Sequence, residues 1–222
     1  MSDIRIIEVK ENILARNDRS AEKLREKMKQ KKTVLINVMS SPGSGKTTLL
    51  KRTIAELKDE IKIGVLEADI DSDVDAAAIL SAGADSVQLH TGGACHLTAD
   101  MTEQGLAGFG DAHYDLIFIE NVGNLVCPAE FDTGATYNVC LLSVPEGDDK
   151  PLKYPLMFQV SHAMVITKID TKSVFDFDEG KLRKNAEMRH PGIEIMPLSA
   201  KTGEGFEAWK DFLRRKVKEA KE

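Results

Sequence analysis

An apolar, β-branched run passes directly into a glycine-rich turn in residues 34–50, which read VLINVMSSPGSGKTTLL. The first six of these residues have the composition of a buried strand, and residues 47–57 have the spacing of a helix. Apolar runs bounded by turn residues alternate with helical patterns along the rest of the chain. This alternation predicts an α/β fold, with a mostly parallel sheet and helices on both faces.

The chain divides into a charged N-terminal helical extension, residues 1–32, and one α/β domain, residues 33–222. In the extension, Ala21, Leu24 and Met28 lie on one stripe at helical spacing. Further strands are predicted at 62–66, 86–89, 115–119, 139–144, 163–167 and 193–198, and further helices at 75–82, 96–106, 178–188 and 205–218.

The composition excludes several classes of protein. Hydrophobic residues make up 42% of the 222 residues and charged residues 30%, which argues against a disordered chain and against a membrane protein. The charged N-terminus lacks the apolar core of a signal peptide. Lysine and arginine number 30 against 36 acidic residues, so the net charge is −6 and no general attraction to nucleic acid is expected. We therefore expect a cytoplasmic protein that contacts neither membrane nor nucleic acid.

The glycine-rich turn matches the phosphate-binding P-loop except at its first position, where Ser40 replaces glycine. Gly43 and Gly45 allow backbone N–H groups to face phosphate oxygens at the start of a helix, whose dipole favours anions. Lys46 would contact the β- and γ-phosphates, and the hydroxyl of Thr47 would bind Mg²⁺. The fold class is accordingly a P-loop NTPase, with a nucleotide site made by Gly43, Ser44, Gly45, Lys46, Thr47 and Thr48.

Two acidic residues at strand ends complete the predicted magnesium site. Asp69 closes the second strand, and Glu120 closes the strand at 115–119 in the place of a Walker-B acid. With Lys46 and Thr47, these two carboxylates form the predicted catalytic set. The neighbouring Asp71, Asp73 and Asp75 are interpreted as a solvated acidic turn, in which Asp75 could also cap a helix.

Two further elements predict that the base is guanine. Thr167-Lys168-Ile169-Asp170 follows an apolar strand, and Ser199-Ala200-Lys201 follows the next one. The Asp170 carboxylate can accept hydrogen bonds from guanine N1–H and the exocyclic amino group together, which adenine cannot offer. Either element alone is weak evidence, but their order after the P-loop predicts GTP and GDP as ligands, bound by Lys168, Asp170, Ser199, Ala200 and Lys201.

Cys95, His96 and Cys127 are candidate metal ligands. Cys95 and His96 are neighbours on a predicted loop, where both side chains can face one ion, and two thiolates with an imidazole suit Ni²⁺ or Zn²⁺. The spacing alone is weak, because buried cysteine without a ligand is common. Cys127 lies seven residues after Glu120, where its thiolate could move when a γ-phosphate is bound or lost. Cys140, flanked by strand residues, is expected in the core.

Taken together, the motifs resemble those of the HypB-type GTPases, which assist nickel insertion during the maturation of nickel–iron hydrogenases. The resemblance covers nearly the whole chain. It rests on SPGSGKTT at 41–48, GGACHL at 92–97 and ENVGNLVCP at 120–128, of which the last is the most specific.

The resemblance implies a GTP-hydrolysing metallochaperone that dimerises around GTP and holds Ni²⁺ or Zn²⁺ at Cys95, His96 and Cys127. Its implied partners are a HypA-type nickel chaperone and, indirectly, the hydrogenase large subunit. One departure is that residues 1–32 contain neither cysteine nor histidine, so no additional nickel store is expected there. Asn124 after Gly123 leaves no obvious water-positioning glutamine, which favours slow intrinsic turnover.

Other functions are less well supported by these motifs. A urease-type nickel GTPase would carry a different Cys-Pro-His arrangement, which this sequence lacks. A P-loop small-molecule kinase would prefer ATP, against the two guanine-type elements. A partitioning-type ATPase would carry a lysine where Ser41 stands. A metal-binding scaffold with a structural nucleotide would bind metal equally well in the GDP and GTP forms, whereas a metal-coupled GTPase would not.

Overall fold

A computed structural model describes residues 9–69 and 79–222 of the chain. Its strands are β1 Val34–Met39, β2 Ile63–Asp69, β3 Asp85–His90, β4 Leu116–Glu120, β5 Tyr137–Ser143, β6 Ala163–Thr167 and β7 Glu194–Pro197. They form one sheet in the order β3-β2-β4-β1-β5-β6-β7, and every neighbouring pair is parallel. The predicted P-loop α/β fold with a parallel sheet is confirmed.

The helices are α1 Val9–Gln30, α2 Lys46–Leu57, α3 Ala99–Ala107, α4 Cys127–Glu130, α5 Lys150–Lys153, α6 Pro155–Val160, α7 Glu179–Arg189 and α8 Phe206–Lys221. Of the helix predicted at 75–82, residues 79–82 are helical and the remainder, with Asp71, Asp73 and Asp75, lies outside the described residues. The short helices α4, α5 and α6 were not predicted, because segments of four to six residues carry no readable helical period.

The two faces of β1 divide the core. Val34, Ile36 and Val38 join the apolar cluster that packs under α2 and α8. Leu35 joins a second cluster on the opposite face, which includes Leu24 and Met28 of α1 and apolar residues of β2 and β4. The alternation of side chains along a strand explains why one apolar run serves both layers.

Helix α3 begins three residues later than the predicted start at His96, so the prediction was wrong at this end. Thr98 has an extended backbone, and its side chain accepts a hydrogen bond from the N–H of Met101. A threonine N-cap of this kind satisfies a first-turn amide and sets the start of the helix. His96 therefore lies on a loop, beside Cys95.

Parallel pairing brings the carboxyl ends of the strands to one edge of the sheet. The loop after Met39, the ends of β2 and β4, and Thr167 at the end of β6 all meet there. Loops at this edge form the ligand-binding crevice of open α/β sheets. Within residues 9–69 and 79–222, no helix combines the length and apolarity that a bilayer-crossing segment needs.

A buried hydrogen bond in the core gives a stability prediction. The indole N–H of Trp209, which is fully buried, donates to the hydroxyl of Thr53 at 2.9 Å. Thr53→Val leaves that N–H without an acceptor, so we expect the free energy of unfolding to fall by about 1–3 kcal/mol. Urea denaturation measures the free energy of unfolding of the parent, of Thr53→Val, of Trp209→Phe and of the double variant Thr53→Val/Trp209→Phe. We expect Thr53→Val to cost less in the Trp209→Phe background; strictly additive effects would contradict the prediction.

Candidate nucleotide cleft and cysteine–histidine cluster

The loop between β1 and α2 is shaped by two glycines and a buried serine. Gly43 and Gly45 have φ values of 73° and 100°, a left-handed conformation that suits glycine. Ser40 is fully buried, and its Oγ accepts hydrogen bonds from the Ser44 hydroxyl at 2.6 Å and from Lys46 Nζ at 3.1 Å. The serine that replaces the first P-loop glycine therefore orients the lysine of the same loop.

A cleft of about 640 Å³ opens above this loop. Its walls come from the loop, from Glu67 and Ala68 of β2, from residues 120–123 and from Lys168. The start of α2 faces it, so the cleft combines a helix N-terminus with the side chains of Lys46 and Thr47. This combination suits a polyphosphate.

Two carboxylates lie at the floor of the cleft. The Thr47 hydroxyl donates to Glu120 Oε1 at 2.8 Å, and Glu67 of β2 pairs in register with Glu120 of β4. Both glutamates are buried. Asp69 ends β2, and its side chain is outside what the structure describes. Sequence reasoning missed Glu67, although a charged residue within an apolar strand was a usable signal.

The Thr47–Glu120 pair fits a magnesium ion. Mg²⁺ takes hydroxyl and carboxylate oxygens in an octahedron with bonds of about 2.1 Å, so adjacent ligands lie about 3.0 Å apart. The observed separation of 2.8 Å matches that spacing. These two side chains would hold Mg²⁺ beside the phosphates.

A second cavity of about 310 Å³ adjoins the cleft. It is lined by every predicted base-contact residue: Lys168, Asp170, Ser199, Ala200 and Lys201. It also shares Gly45 and Thr48 with the P-loop side. Two hydrogen bonds connect the residues that line this cavity to the P-loop. Lys168 Nζ donates to the carbonyl of Gly43 at 2.7 Å, and the Thr167 hydroxyl donates to the carbonyl of Ser44 at 2.6 Å.

The Ser-Ala-Lys element is held by a residue that sequence reasoning missed. Arg52 of α2 donates from Nη1 to the carbonyls of Ala200 at 3.0 Å and Lys201 at 3.4 Å. Arg52 also pairs with Glu56 one turn later. Because α2 starts at Lys46, the same helix positions the phosphate end and the base end of the site. No local pattern marks a contact across 148 residues.

Cys95, His96 and Cys127 lie together, with their ligand atoms all within 4.8 Å of one another. Cys95 Sγ and His96 Nδ1 are 3.8 Å apart. Zinc bonds of about 2.3 Å to sulfur and 2.0 Å to nitrogen place the tetrahedral sulfur and nitrogen atoms of such a set about 3.5–3.8 Å apart. A small closure of the three side chains therefore brings them to metal-binding distance.

The environment of the cluster favours neutral imidazole and protonated thiol before metal arrives. The His96 ring stacks on Phe131, with centroids 3.8 Å apart. Burial lowers the pKa of His96, and the Glu130 carboxylate opposes that shift. The hydrogen bond with Cys95 and burial raise the pKa of Cys127. Metal binding would therefore release a proton from the Cys127 thiol.

One segment joins the cleft to the cluster. After Glu120, Gly123 lies so close to the P-loop that an added Cβ would meet backbone atoms of Pro42 at 3.1 Å. Asn124 Oδ1 then accepts hydrogen bonds from the N–H groups of Val126 and Cys127. The backbone that carries the Cys127 thiol is thus packed against the phosphate loop at its other end.

A family model of the CobW/HypB/UreG nucleotide-binding domain matches residues 33–197. The hydrogenase maturation factor HypB of Rhizobium leguminosarum bv. viciae is 45% identical over 209 residues, which are 94% of this chain and 70% of that protein. HypB of Escherichia coli strain K12 is 43% identical over 96% of this chain and 73% of that protein.

Solved structures give the same result. A crystal structure of HypB from Helicobacter pylori in complex with nickel superposes with a TM-score of 0.87 at 40% identity, covering 92% of this chain and 96% of that one. The hydrogenase maturation factor HypB from Archaeoglobus fulgidus superposes with a TM-score of 0.85 at 42% identity, covering 92% of this chain and all of that one.

The close approach of Gly123 to Pro42 gives a prediction for nucleotide affinity. Gly123→Ala places a Cβ 3.1 Å from backbone atoms of Pro42, so the P-loop must shift to relieve the contact and its amides leave the positions that suit phosphate. We expect affinity for a fluorescent GTP analogue to fall about tenfold or more. Gly180→Ala is the matched control, since its Cβ would meet only the Asp178 side chain. Equal affinities for the two variants would contradict the prediction.

Proposed function

This chain belongs to the CobW/HypB/UreG family and, within it, to the HypB hydrogenase maturation factors, and from this we propose that it is a GTP-hydrolysing metallochaperone. It couples GTP binding and hydrolysis to the binding and release of Ni²⁺ or Zn²⁺ at Cys95, His96 and Cys127. The observation that carries the proposal is the segment from Glu120 to Cys127, which touches the phosphate loop at Gly123 and ends at a thiol of the cluster.

The phosphates of GTP bind to the P-loop amides, and Lys46, oriented by Ser40, neutralises charge on the β- and γ-phosphates. Thr47, Glu120 and Asp69 are the side chains that hold Mg²⁺ in this proposal. When bound, Mg²⁺ offsets the charge that develops between the β- and γ-phosphates. Positioning of this kind, without a glutamine to orient water, supports slow intrinsic hydrolysis.

The base occupies the smaller cavity, where the Asp170 carboxylate accepts hydrogen bonds from guanine. Lys168 covers the base and stays tied to the P-loop through Gly43. Ser199, Ala200 and Lys201 close the other side, held by Arg52. The fixed spacing of these elements supports recognition of a guanine nucleotide with its phosphates already in place.

The metal is cargo in this proposal. Three ligands leave a further coordination position open, which suits exchange with another protein better than permanent storage. A change at the γ-phosphate displaces residues 121–124, and Asn124 transmits the displacement to the N–H of Cys127. Movement of one thiol relative to Cys95 and His96 changes the affinity of the site.

The partners proposed for this cycle follow from the family. Two copies of the chain dimerise in the GTP-bound state, a HypA-type nickel chaperone exchanges metal with the cluster, and the hydrogenase large subunit is the final recipient. The cycle takes place in the cytoplasm.

Base selection gives the first test of the proposal. Asp170→Asn exchanges one acceptor for a donor, which mismatches the guanine amino group and matches the corresponding carbonyl of xanthine. We expect affinity for GDP to fall at least about a hundredfold and affinity for XDP to rise. Competition against a fluorescent nucleotide measures both. Tight GDP binding in Asp170→Asn would place the base elsewhere.

Metal linkage gives the second test. We expect Ni²⁺ affinity to differ by about fivefold or more between the GDP form and the GTP-analogue form. Ni²⁺ should change the GTP-analogue/GDP affinity ratio by the same factor, because coupling is reciprocal. Competition against a chromophoric chelator measures the first quantity and nucleotide titration the second.

Cys127→Ser should remove both the tight Ni²⁺ binding and the linkage. Cys140→Ala is the matched control, because this thiol is buried in the core and its sulfur is not one of the grouped ligand atoms. Equal Ni²⁺ affinities in the two nucleotide states, unchanged in Cys127→Ser, would leave an ordinary GTPase.

A further inference from the structure

The N-terminal helix α1 is attached to both of the segments that carry the cysteine–histidine cluster. We infer that Asn17 of α1 is a positioning residue for this cluster, holding the segment of Cys95 and His96 against the segment of Cys127. The inference rests on the proposed metal-binding function. It makes α1 a component of the site, although none of the described side chains of α1 belongs to the cysteine–histidine cluster.

One side chain makes both attachments. Asn17 Oδ1 accepts a hydrogen bond from the N–H of Ala99 at 2.9 Å, and Asn17 Nδ2 donates to the carbonyl of Asp132 at 2.8 Å. Asn17 is only 6% exposed. The partners are 82 and 115 residues away in the chain, so the contacts are features of the tertiary structure.

Both residues that Asn17 binds lie close in sequence to the candidate metal ligands. Ala99 comes three residues after His96, and Asp132 comes five residues after Cys127. Phe131, next to Asp132, stacks on the His96 ring, so the two segments already touch at the cluster. A shift of either segment relative to Asn17 therefore changes the separation of the sulfur and nitrogen ligand atoms.

The backbone groups that Asn17 binds need a partner. Ala99 is the first residue of α3, and the N–H groups of a first helical turn have no acceptor within the helix. Ala99 itself is buried, so water does not replace the missing acceptor. A side-chain amide supplies one acceptor and one donor at a fixed angle, which is what the pair of Ala99 and Asp132 requires.

A second contact of α1 reaches one segment alone. Arg25 pairs with the Asp132 carboxylate at 2.8 Å and donates to the Ala135 carbonyl at 3.5 Å. Gly134 approaches Leu24 so closely that a Cβ added to the glycine would lie 2.8 Å from Leu24 Cδ2. The Cys127 segment is thus fixed to α1 at several points, and Asn17 connects that assembly to the Cys95–His96 segment.

Loss of Asn17 is expected to weaken metal binding without removing a ligand. Groups that orient metal ligands typically contribute about ten- to a hundredfold in affinity. We expect Asn17→Leu to weaken Ni²⁺ binding by that factor. Asn17→Asp keeps the acceptor for Ala99 but places a carboxylate oxygen against the Asp132 carbonyl, so it should also weaken Ni²⁺ binding.

The parent chain and four variants, Asn17→Leu, Asn17→Asp, Lys27→Ala and Cys95→Ser, are titrated with Ni²⁺ against a chromophoric chelator. The matched control is Lys27→Ala, since Lys27 of α1 contacts Glu103 of α3 only through an exposed ion pair, and exposed pairs contribute little. Binding of a fluorescent GDP analogue and circular dichroism verify that each variant is folded. If Asn17→Leu does not fold, Asn17→Asp carries the same comparison against Lys27→Ala.

A second readout does not depend on metal. Phenylarsine oxide bridges two neighbouring thiols, forming two As–S bonds and releasing water, so it reports directly on the separation of Cys95 and Cys127. We expect weaker capture in Asn17→Leu, by native mass spectrometry under dithiol competition, and no change in Lys27→Ala.

The outcomes separate this inference from the proposed function. Ni²⁺ affinity and arsenical capture in Asn17→Leu within twofold of the parent, with both lost in Cys95→Ser, would overturn the positioning role and leave the metallochaperone intact. A second outcome is also possible: the parent chain shows no tight Ni²⁺ binding, and Asn17→Leu still captures the arsenical more weakly than the parent. This result would support the positioning role and overturn the metal-binding function.

Discussion

The parallel pairing of β1 with β4 is the constraint on which the rest of the site depends. Val38 lies opposite Glu120 in this register, so the phosphate loop after Met39 and the segment after Glu120 leave the sheet side by side. A slip of one residue would turn Glu120 to the opposite face of the sheet. The Thr47–Glu120 contact and the approach of Gly123 to Pro42 both follow from this register.

The same register explains how two chemically different sites share one short segment. Parallel strands end at a common edge, and every loop that leaves this edge is within reach of the phosphate cleft. Residues 121–127 run from that cleft to the cysteine–histidine cluster. Gly123 packs against the phosphate loop, and the Asn124 side chain accepts hydrogen bonds from the N–H groups of Val126 and Cys127. The segment is therefore the shortest stretch of chain between the phosphate loop and the Cys127 thiol.

Local patterns predicted the elements that depend on local physics. The P-loop needs a strand, a glycine turn and a helix in succession, and all three lie within residues 34–57. The grouping of Cys95, His96 and Cys127 followed from motifs on either side of a predicted strand. The start of α3 was misplaced, because a threonine cap competes with helical periodicity at residues 96–98, and Glu67 was overlooked within an apolar strand.

Residue type and short spacing decide which groups can bind phosphate, guanine or a soft metal, so the fold class and the chemistry of the candidate site are readable along the chain. The distant groups that support them become visible only once the chain is folded. Arg52 reaches Ala200 across 148 residues, and Asn17 reaches Ala99 and Asp132 across 82 and 115 residues. Such contacts arise when packed layers bring separate segments together, and their hydrogen-bonding side chains carry no periodic pattern along the chain.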